Sequence, residues 1–444
     1  MGNPHVLVIP YPAQGHVLPL MELSQCLAKH GIKITFVNTE FVHKLVVNAL
    51  GTEHDVANSI RLVSIPDVND QIEEIYLSMP VKVKELIEQI NASDGDNVTC
   101  VLADNFLGWA MEIAVDKEIK RAAFSVIAAT ASVSVSSIPK LMEDGIIGYD
   151  GNPTKKQMVQ LSPFMPPMKT SHFVWVDHGV WKDQNLFFDY SLRNNRSIEL
   201  ADWVLCNSTY DLEPEPYNMN PKILPIGPLV ASNRSGNSVG NFLPEDLSCL
   251  KWLDQQPTQS VIYVAFGSHT TFDQTQFEEF ALGLELSNRP FLWVVRPDIA
   301  NKLNDTNLEG FQDRVGSRGL IISWAPQQKV LEHPSIAYFF SHCGWNSTME
   351  ALSNGVPLLC WPFSTDQFLN EHYICNVWKV GLGFNRDDGG IITREEIKNK
   401  SDELLSGENY KANTLNLKEK LLNSIKQGGS SYINFMTFVA WVKA

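Results

Sequence analysis

Several features that would assign the chain to a common class of protein are missing from its sequence. The 444 residues contain 35 Lys and Arg against 50 Asp and Glu, and no local basic cluster offsets the net charge of −15. Such a surface repels a phosphate backbone, which excludes nucleic acid as a partner. No apolar stretch is long enough to span a bilayer. The sequence therefore predicts neither a nucleic-acid-binding protein nor an integral membrane protein.

Cysteine is too sparse and scattered for a disulfide framework or a zinc site. The seven cysteines are odd in number and form no C-x-x-C pair, which is typical of reduced thiols in a cytosolic protein. The first apolar run, residues 6–9, has no basic segment before it, so we expect no signal peptide. Together these features predict a cytoplasmic protein.

Two common nucleotide-binding motifs are also absent. The nearest approach to G-x-G-x-x-G begins at Gly381 and Gly383, but Arg386 stands where the third glycine belongs. This argues against an NAD-dependent dehydrogenase. No Gly-Lys dipeptide occurs, which excludes a P-loop nucleotidase.

What the sequence does contain is a repeated alternation of short apolar runs and helical patterns. The runs are continuously hydrophobic, which is typical of parallel strands covered on both faces. A stretch rich in Gly, Pro and Ser, residues 227–240, separates two such series. We therefore predict an α/β fold with two Rossmann-like, doubly wound domains facing a central cleft. The predicted strands are 6–9, 34–37, 62–65, 98–103, 122–126, 203–207, 261–266, 291–295, 320–322, 338–340 and 357–360.

The domain boundaries follow from this alternation. We expect an N-terminal domain over residues 1–232, a linker over 233–247 and a C-terminal domain over 248–428. The last segment, 429–444, has a helical pattern with many apolar residues, and we expect it to pack back on the N-terminal domain. We expect the protein to be a monomer.

One strand-to-helix turn has the chemistry of an anion site. Residues 341–344, Ser-His-Cys-Gly, end a predicted strand, and a helix follows them. A helix N-terminus presents unpaired backbone N–H groups and the positive end of its dipole. Gly344 would let the backbone approach a ligand, and His342, Asn346 and Ser347 would add donors. Taken alone, the turn is better explained as an ordinary helix cap beside a core histidine.

The turn lies within a longer segment, residues 324–367, that resembles the signature box of plant secondary product glycosyltransferases. The match includes the W-x-P-Q opening, the H-C-G-W-N-S core, Glu350, a Gly-Val-Pro and the closing Asp-Gln. This box marks the UDP-dependent glycosyltransferases of family one. The similarity extends along the chain from the Pro-Ala-Gln-Gly-His of residues 12–16 to its end. The resemblance implies the GT-B fold, which agrees with the two predicted domains.

The resemblance implies a role for each donor-site residue, and each role suits the residue type. An aromatic face suits a planar base, a carboxylate suits paired hydroxyls, and donors suit oxyanions. The expected nucleoside contacts are Trp324 with uracil, Ala325 and Gln327 with the base or ribose, and Glu350 with the ribose hydroxyls. The expected phosphate ligands are Ser268, His342, Asn346 and Ser347. The expected sugar contacts are Trp345, Asp366 and Gln367. In relatives, a glutamine at the last position of the box accompanies glucose donors, and a histidine there accompanies galactose donors. Gln367 therefore indicates UDP-glucose.

A histidine and an aspartate match the catalytic pair of the same family. His16 follows the first predicted strand, and Asp104 follows the predicted strand 98–103. On their own they would be a helix residue and a helix cap. The resemblance implies that the His16 imidazole is the general base for the acceptor hydroxyl. It also implies that Asp104 orients the imidazole and stabilises its protonated form.

The function implied by the resemblance is inverting glucosyl transfer from UDP-glucose to a small lipophilic acceptor, a flavonoid or other phenolic or a terpenoid, giving a β-O-glucoside. No metal or other cofactor is expected, because the helix N-terminus would stabilise the departing UDP. The D-x-D at Asp94-Gly95-Asp96 is interpreted as a solvated turn because Ser, Asp and Gly surround it. The alternative is a non-catalytic sugar-nucleotide or small-ligand binding protein, against which the presence of both His16 and Asp104 argues.

Two further expectations concern the sugar and the acceptor. Relatives often have Thr or Ser where this chain has Val126, which weakens the sugar contact from the N-terminal domain; Thr130 is a poor substitute. The acceptor is expected to bind the loops 67–95 and 140–195, whose apolar content suits a flat ligand. The aromatic residues of these loops include Phe164, Phe173, Trp175, Trp181, Phe187 and Phe188.

Overall fold

A computed structural model describes residues 4–50, 60–67, 72–93, 97–176, 184–229, 240–299 and 310–444. The chain forms two compact units. The first comprises Met1–Pro244, Ser364–Asp366 and Leu421–Ala444, and the second comprises Glu245–Phe363 and Gln367–Lys420. The Asp94-Gly95-Asp96 motif and the first part of the predicted linker lie outside the described residues.

Residues 240–244 of the predicted linker are integrated into the first unit. The Gln14 side chain donates to Gly240 O (3.5 Å) and to Asn241 Oδ1 (3.3 Å). Its amide oxygen accepts from the backbone N–H of Phe242 (2.7 Å). These bonds hold residues 240–242 against the first helix, so the second unit begins only at Glu245.

A parallel sheet forms the centre of the first unit. Its order is β3-β2-β1-β4-β5-β8-β9, and every pairing between neighbours is parallel. The five residues of β1 are all buried, as the continuous apolar runs predict. The strands are β1 His5–Ile9, β2 Lys33–Thr39, β3 Ile60–Ile65, β4 Cys100–Asp104, β5 Lys120–Ser125, β8 Trp203–Cys206 and β9 Ile223–Pro225. Two short antiparallel strands, β6 Met158–Val159 and β7 Met168–Lys169, pair separately.

Helices cover this sheet, and the first of them carries His16. It begins at Gln14, because Ala13 is still extended and occupies the N-cap. It ends at Lys29, and Gly31 follows with φ +73, a conformation that glycine adopts without strain. The helices are Gln14–Lys29, Glu40–Leu50, Ile72–Leu77, Met79–Asn91, Trp109–Asp116, Ala129–Ser136, Ile138–Glu143, Gln184–Ile198, Pro214–Met219 and Ser430–Lys443.

The C-terminal helix Ser430–Lys443 packs within the first unit. The ring centroids of Phe438 and Trp441 lie 5.9 and 5.8 Å from that of Trp203 at the start of β8. The Asn434 side chain donates to Pro225 O at 2.8 Å. The apolar residues of this helix thus pack against the β8–β9 edge of the sheet.

The second unit repeats the arrangement around a parallel sheet of order β12-β11-β10-β13-β14-β15. Its strands are β10 Val261–Ala265, β11 Phe291–Val294, β12 Gly319–Ile322, β13 Ile336–Ser341, β14 Leu358–Cys360 and β15 Gly381–Gly383. Its helices are Ser248–Leu253, Gln274–Leu286, Phe311–Val315, Gln327–Glu332, Trp345–Asn354, Gln367–His372, Arg394–Ser406 and Glu408–Ile425, whose last residues join the first unit. The predicted pair of parallel α/β domains is confirmed.

Candidate active site

His16 and Asp104 meet at the C-terminal end of β4. Asp104 is the last residue of β4 and its side chain is fully buried. Its Oδ2 lies 2.7 Å from His16 Nδ1, and its Oδ1 accepts from the backbone N–H of Phe106 at 2.9 Å. A carboxylate can only accept, so Nδ1 carries the proton and Nε2 of the neutral ring keeps its lone pair. The His16 side chain is 22% exposed, which leaves this base accessible.

Aromatic side chains surround the imidazole. The ring of Tyr11 lies 5.0 Å from that of His16, and Phe106 approaches it edge-on at 5.4 Å. The hydroxyl of Tyr76 donates to Phe106 O at 2.6 Å. Burial raises the pKa of Tyr76 well above its usual value, so this phenol stays neutral. These contacts fix the plane of the imidazole and give it an apolar, aromatic border.

Most aromatic residues predicted to line an acceptor site are instead part of the packed core. Phe173 and Trp175 stack with centroids 4.8 Å apart, and Phe188 lies 6.2 Å from Trp175; all three have no exposed surface. Phe187 is only 7% exposed, whereas Phe164 is 82% exposed. Trp181 lies outside the described residues. The interpretation of the buried residues as ligand-facing was wrong, because an aromatic run alone does not distinguish core from pocket.

In the predicted anion turn, the backbone passes close to the His342 imidazole. β13 ends at Ser341, Cys343 has φ +65, and the helix Trp345–Asn354 begins after Gly344. A Cβ atom added to Gly344 would lie 2.5 Å from His342 Nε2, and one added to Gly267 would lie 2.6 Å from the same atom. Both glycines are therefore needed where the backbone approaches the imidazole. The N–H groups at the start of this helix form a site suited to an anion.

His342 is neutral at physiological pH. Burial and, to a lesser extent, the neighbouring His269 lower its pKa to about 4. The positive potential at this turn therefore comes from the helix dipole and backbone N–H groups rather than from an imidazolium. A neutral imidazole can still donate one hydrogen bond to a phosphate oxygen.

Glu350 is the centre of a buried hydrogen-bond network. Its carboxylate, 3% exposed, accepts from Gln327 Nε2 (2.5 Å) and Gln328 Nε2 (2.8 Å), one at each oxygen. Gln327 also donates to Ser347 Oγ (2.9 Å) and accepts from Tyr263 OH (3.0 Å). Each carboxylate oxygen has a second lone pair, so paired hydroxyls could still bind. Sequence reasoning missed Gln328 and Tyr263; the second glutamine of the W-x-P-Q-Q run was the only signal.

The remaining nucleoside and sugar residues differ in how accessible they are. Trp324 is half-buried and its carbonyl accepts from Asp246 N–H (2.9 Å), whereas Ala325 is 6% exposed. Trp345 is 3% exposed and packs 6.4 Å from Trp378. Its backbone N–H at the helix start, rather than its indole, is the group suited to a sugar contact.

The end of the signature box falls at a unit boundary. Asp366 belongs to the first unit and is 7% exposed, with Thr365 Oγ1 3.1 Å from its carboxylate. Gln367 starts a helix of the second unit, and its Oε1 accepts from the Phe363 N–H at 2.7 Å. In the first unit, Thr130 is 1% exposed, so its hydroxyl offers a sugar no surface.

The β10 loop, residues 267–270, follows β10 and carries the other predicted phosphate ligand. Ser268 is half-buried, and its hydroxyl lies 2.9 Å from His269 Nδ1. Within the second unit the structure thus brings Ser268, His342, Asn346, Ser347 and Glu350 onto the ends of β10 and β13 and the helix after β13. Their ligand contacts stay predictions.

The Glu350 network gives a test of the predicted nucleoside site. Replacing Glu350 with Gln puts an NH2 group against the amide donor of either Gln327 or Gln328 and removes an acceptor for ribose hydroxyls. We expect UDP affinity to fall about 10- to 100-fold, as for a lost charged hydrogen bond. Calorimetric titration with UDP and with 2′-deoxy-UDP measures these affinities, and the ratio between them should be smaller for the variant than for the wild type. Exposed Glu332→Gln is the control, and unchanged UDP binding by Glu350→Gln would exclude the ribose role.

No group of three or more His, Cys, Asp or Glu side chains arranged to hold a metal ion occurs among the residues that the structure describes. Within the same residues, no helix is both long and apolar enough to cross a bilayer.

Known proteins that are similar in sequence and in fold identify the family. A family model described as UDP-glucoronosyl and UDP-glucosyl transferase matches residues 196–421. UDP-glycosyltransferase 83A1 of Arabidopsis thaliana is 46% identical over 464 residues, covering 100% of this chain and 98% of that protein. Os79 of O. sativa in complex with UDP has a TM-score of 0.81 at 29% identity, covering 98% of this chain and 100% of that chain. Phytolacca americana UGT2, complexed with UDP-2fluoro-glucose and pterostilbene, has a TM-score of 0.80 at 26% identity, covering 99% of each chain.

The chain belongs to the plant family 1 UDP-glycosyltransferases. It is a glycosyltransferase of the GT-B fold, built from two Rossmann-like domains, and it transfers a sugar from a sugar nucleotide to a small-molecule acceptor. The predicted family, fold class and enzyme class are confirmed, and the non-catalytic alternative is set aside.

Proposed function

We propose that the protein transfers glucose from UDP-glucose to a hydroxyl group of a small lipophilic acceptor, with inversion, to give a β-O-glucoside. The observation that carries the proposal is the 2.7 Å contact between His16 Nδ1 and the buried Asp104 carboxylate. This contact leaves Nε2 as an accessible base, which a protein that merely binds sugar nucleotides would not need.

The reaction is a single displacement. His16 Nε2 accepts the proton of the acceptor hydroxyl while the oxygen forms a bond to the anomeric carbon of the α-linked donor. The bond from that carbon to the phosphate oxygen breaks, UDP departs with the electron pair, and the configuration inverts. Asp104 stabilises the imidazolium that forms and does not itself take the proton.

The charge of the departing diphosphate is stabilised by fixed donors rather than by a metal. The helix Trp345–Asn354 points its N-terminus toward the turn that holds His342, whose neutral imidazole adds a hydrogen-bond donor. Donors fixed in advance stabilise developing charge without reorganising. We therefore include metal independence in the proposal.

Glucose as the sugar and an aromatic acceptor are the finer parts of the proposal. Gln367 at the end of the signature box supports glucose rather than galactose. Tyr11 and Phe106 beside His16 support a flat phenolic acceptor, since both rings can stack on it. The Phytolacca americana relative is complexed with the phenolic compound pterostilbene and a fluorinated UDP-glucose.

Turnover measured with purified protein tests this function. UDP-glucose and a panel of phenolic and terpenoid alcohols should release UDP and an equal amount of glucoside, faster than UDP-galactose does. Proton NMR should show the β-anomer, and EDTA should leave the rate unchanged. An α-glucoside, or activity lost with EDTA and restored by a divalent cation, would contradict the proposed mechanism.

A further inference from the structure

A buried arginine outside the predicted donor site links two segments of the second unit. Arg296 follows β11 and is 8% exposed. Its guanidinium donates to the carbonyl oxygens of Gly267 (2.8 Å) and Thr270 (3.1 Å). It also forms a two-pronged ion pair with Asp298, at 3.1 and 3.0 Å. Burying a guanidinium costs free energy unless its N–H groups find acceptors. Here Nε, Nη1 and Nη2 of Arg296 all donate to the two carbonyl oxygens or to Asp298.

Both carbonyl acceptors belong to the β10 loop, and they lie at its two ends. The loop starts at Gly267, whose φ of +69 and close approach to His342 leave no room for a side chain. Ser268 lies between the two anchored carbonyls. Arg296 therefore fixes the segment that carries one predicted phosphate ligand and contacts another.

The path of a bound nucleotide explains which phosphate this loop would meet. Glu350, the expected ribose ligand, lies on the helix Trp345–Asn354, and the N-terminus of that same helix is the nearest anion site. The first phosphate after the ribose would then accept hydrogen bonds from the N–H groups at the N-terminus of this helix. The second phosphate needs further donors, and the β10 loop, packed against His342 at that turn, can supply them.

We propose that Arg296 is a positioning residue for the donor diphosphate: by holding the β10 loop in place it determines the preference for a nucleoside diphosphate over a monophosphate. The inference rests on the proposed function, since it takes a UDP-sugar as the donor. Arg296 acts through the loop because its own donors face carbonyl groups and Asp298.

Calorimetric titration of the full-length protein with UDP and with UMP tests the inference. Arg296→Met removes the anchors, and we expect UDP affinity to fall about ten-fold or more while UMP affinity changes less than about two-fold. Arg296→Lys keeps the charge but not the fork, and it should lose most of the UDP preference as well. The matched control is Arg394→Met, which removes an arginine paired with Glu279 in the same unit.

Each outcome decides between distinct accounts. An equal loss for UDP and UMP would show that Arg296 stabilises the unit in general, and wild-type preference in a folded Arg296→Lys would show that charge alone suffices; either overturns the proposal. If Arg296→Met does not fold, the lysine variant, checked by thermal melting, carries the test. Failure of the wild type to bind UDP would instead refute the proposed function, which keeps the two failures apart.

Discussion

Replacing His16 with Ala should reduce kcat for glucoside formation by about two to four orders of magnitude, the usual contribution of a positioned general base. The affinity for UDP should not change, because none of the predicted uridine or phosphate contacts involves His16. The measurement is steady-state UDP release with a phenolic acceptor, accompanied by calorimetric titration with UDP.

The control for this variant is His30→Ala. His30 follows the C-terminal end of the same helix and contacts Phe435, with ring centroids 5.6 Å apart. It should retain wild-type turnover. If His16→Ala kept wild-type kcat while remaining folded, another group would have to accept the proton, and the assignment of the base would be wrong.

Replacing Asp104 with Asn should cost nearly as much as removing the imidazole, although the shape is conserved. The amide oxygen of Asn would still accept from the Phe106 N–H, which places its NH2 group opposite His16 Nδ1. Nδ1 would then accept, and the ring proton would move to Nε2, the atom that must act as the base. The imidazolium would also lose its counter-charge. We expect kcat to fall by about two to four orders of magnitude.

Thermal melting and a surface variant separate this effect from misfolding. Asp116→Asn removes a carboxylate that pairs with Lys84 at 3.0 Å and is 59% exposed, so it should leave kcat unchanged. Asp104→Asn should melt close to the wild type, because the hydrogen bond to Phe106 is kept. Wild-type turnover in Asp104→Asn would show that the carboxylate does not control the tautomer.

Most of the parallel strands were predictable because strands buried on both faces consist of continuous runs of apolar residues. Two strands of the parallel sheets, β9 and β15, were missed for a physical reason. β9 contains only Ile223 and Leu224 before a proline, and β15 is Gly381-Leu382-Gly383, which has little strand propensity. β15 forms because its backbone packs closely against Leu358 and Ile374, which only glycine allows. Such tertiary contacts leave no local pattern in the sequence.

The site was predictable only where a motif carries it. The signature box indicated Glu350, Gln327 and the turn at His342, but not the hydrogen bonds that Gln327 and Gln328 donate to Glu350. Hydrogen bonds between distant side chains have no sequence period. Arg296 follows an apolar strand, where a lone charge would ordinarily be exposed. The prediction that the aromatic residues of the loops face the acceptor was wrong for a related reason. Hydrophobicity predicts that a side chain is buried, but not whether it is buried by a ligand or by the protein's own core.

The proton transfer to His16 is the central claim, and a series of substituted phenols as acceptors tests it most directly. Values of kcat/KM for the wild type and for His16→Ala are compared as the pKa of the phenol falls. An acidic phenol supplies its own phenolate, so the variant's defect should shrink steadily along the series. A ratio of wild type to variant that stays constant across the series would contradict the role of His16 as the base.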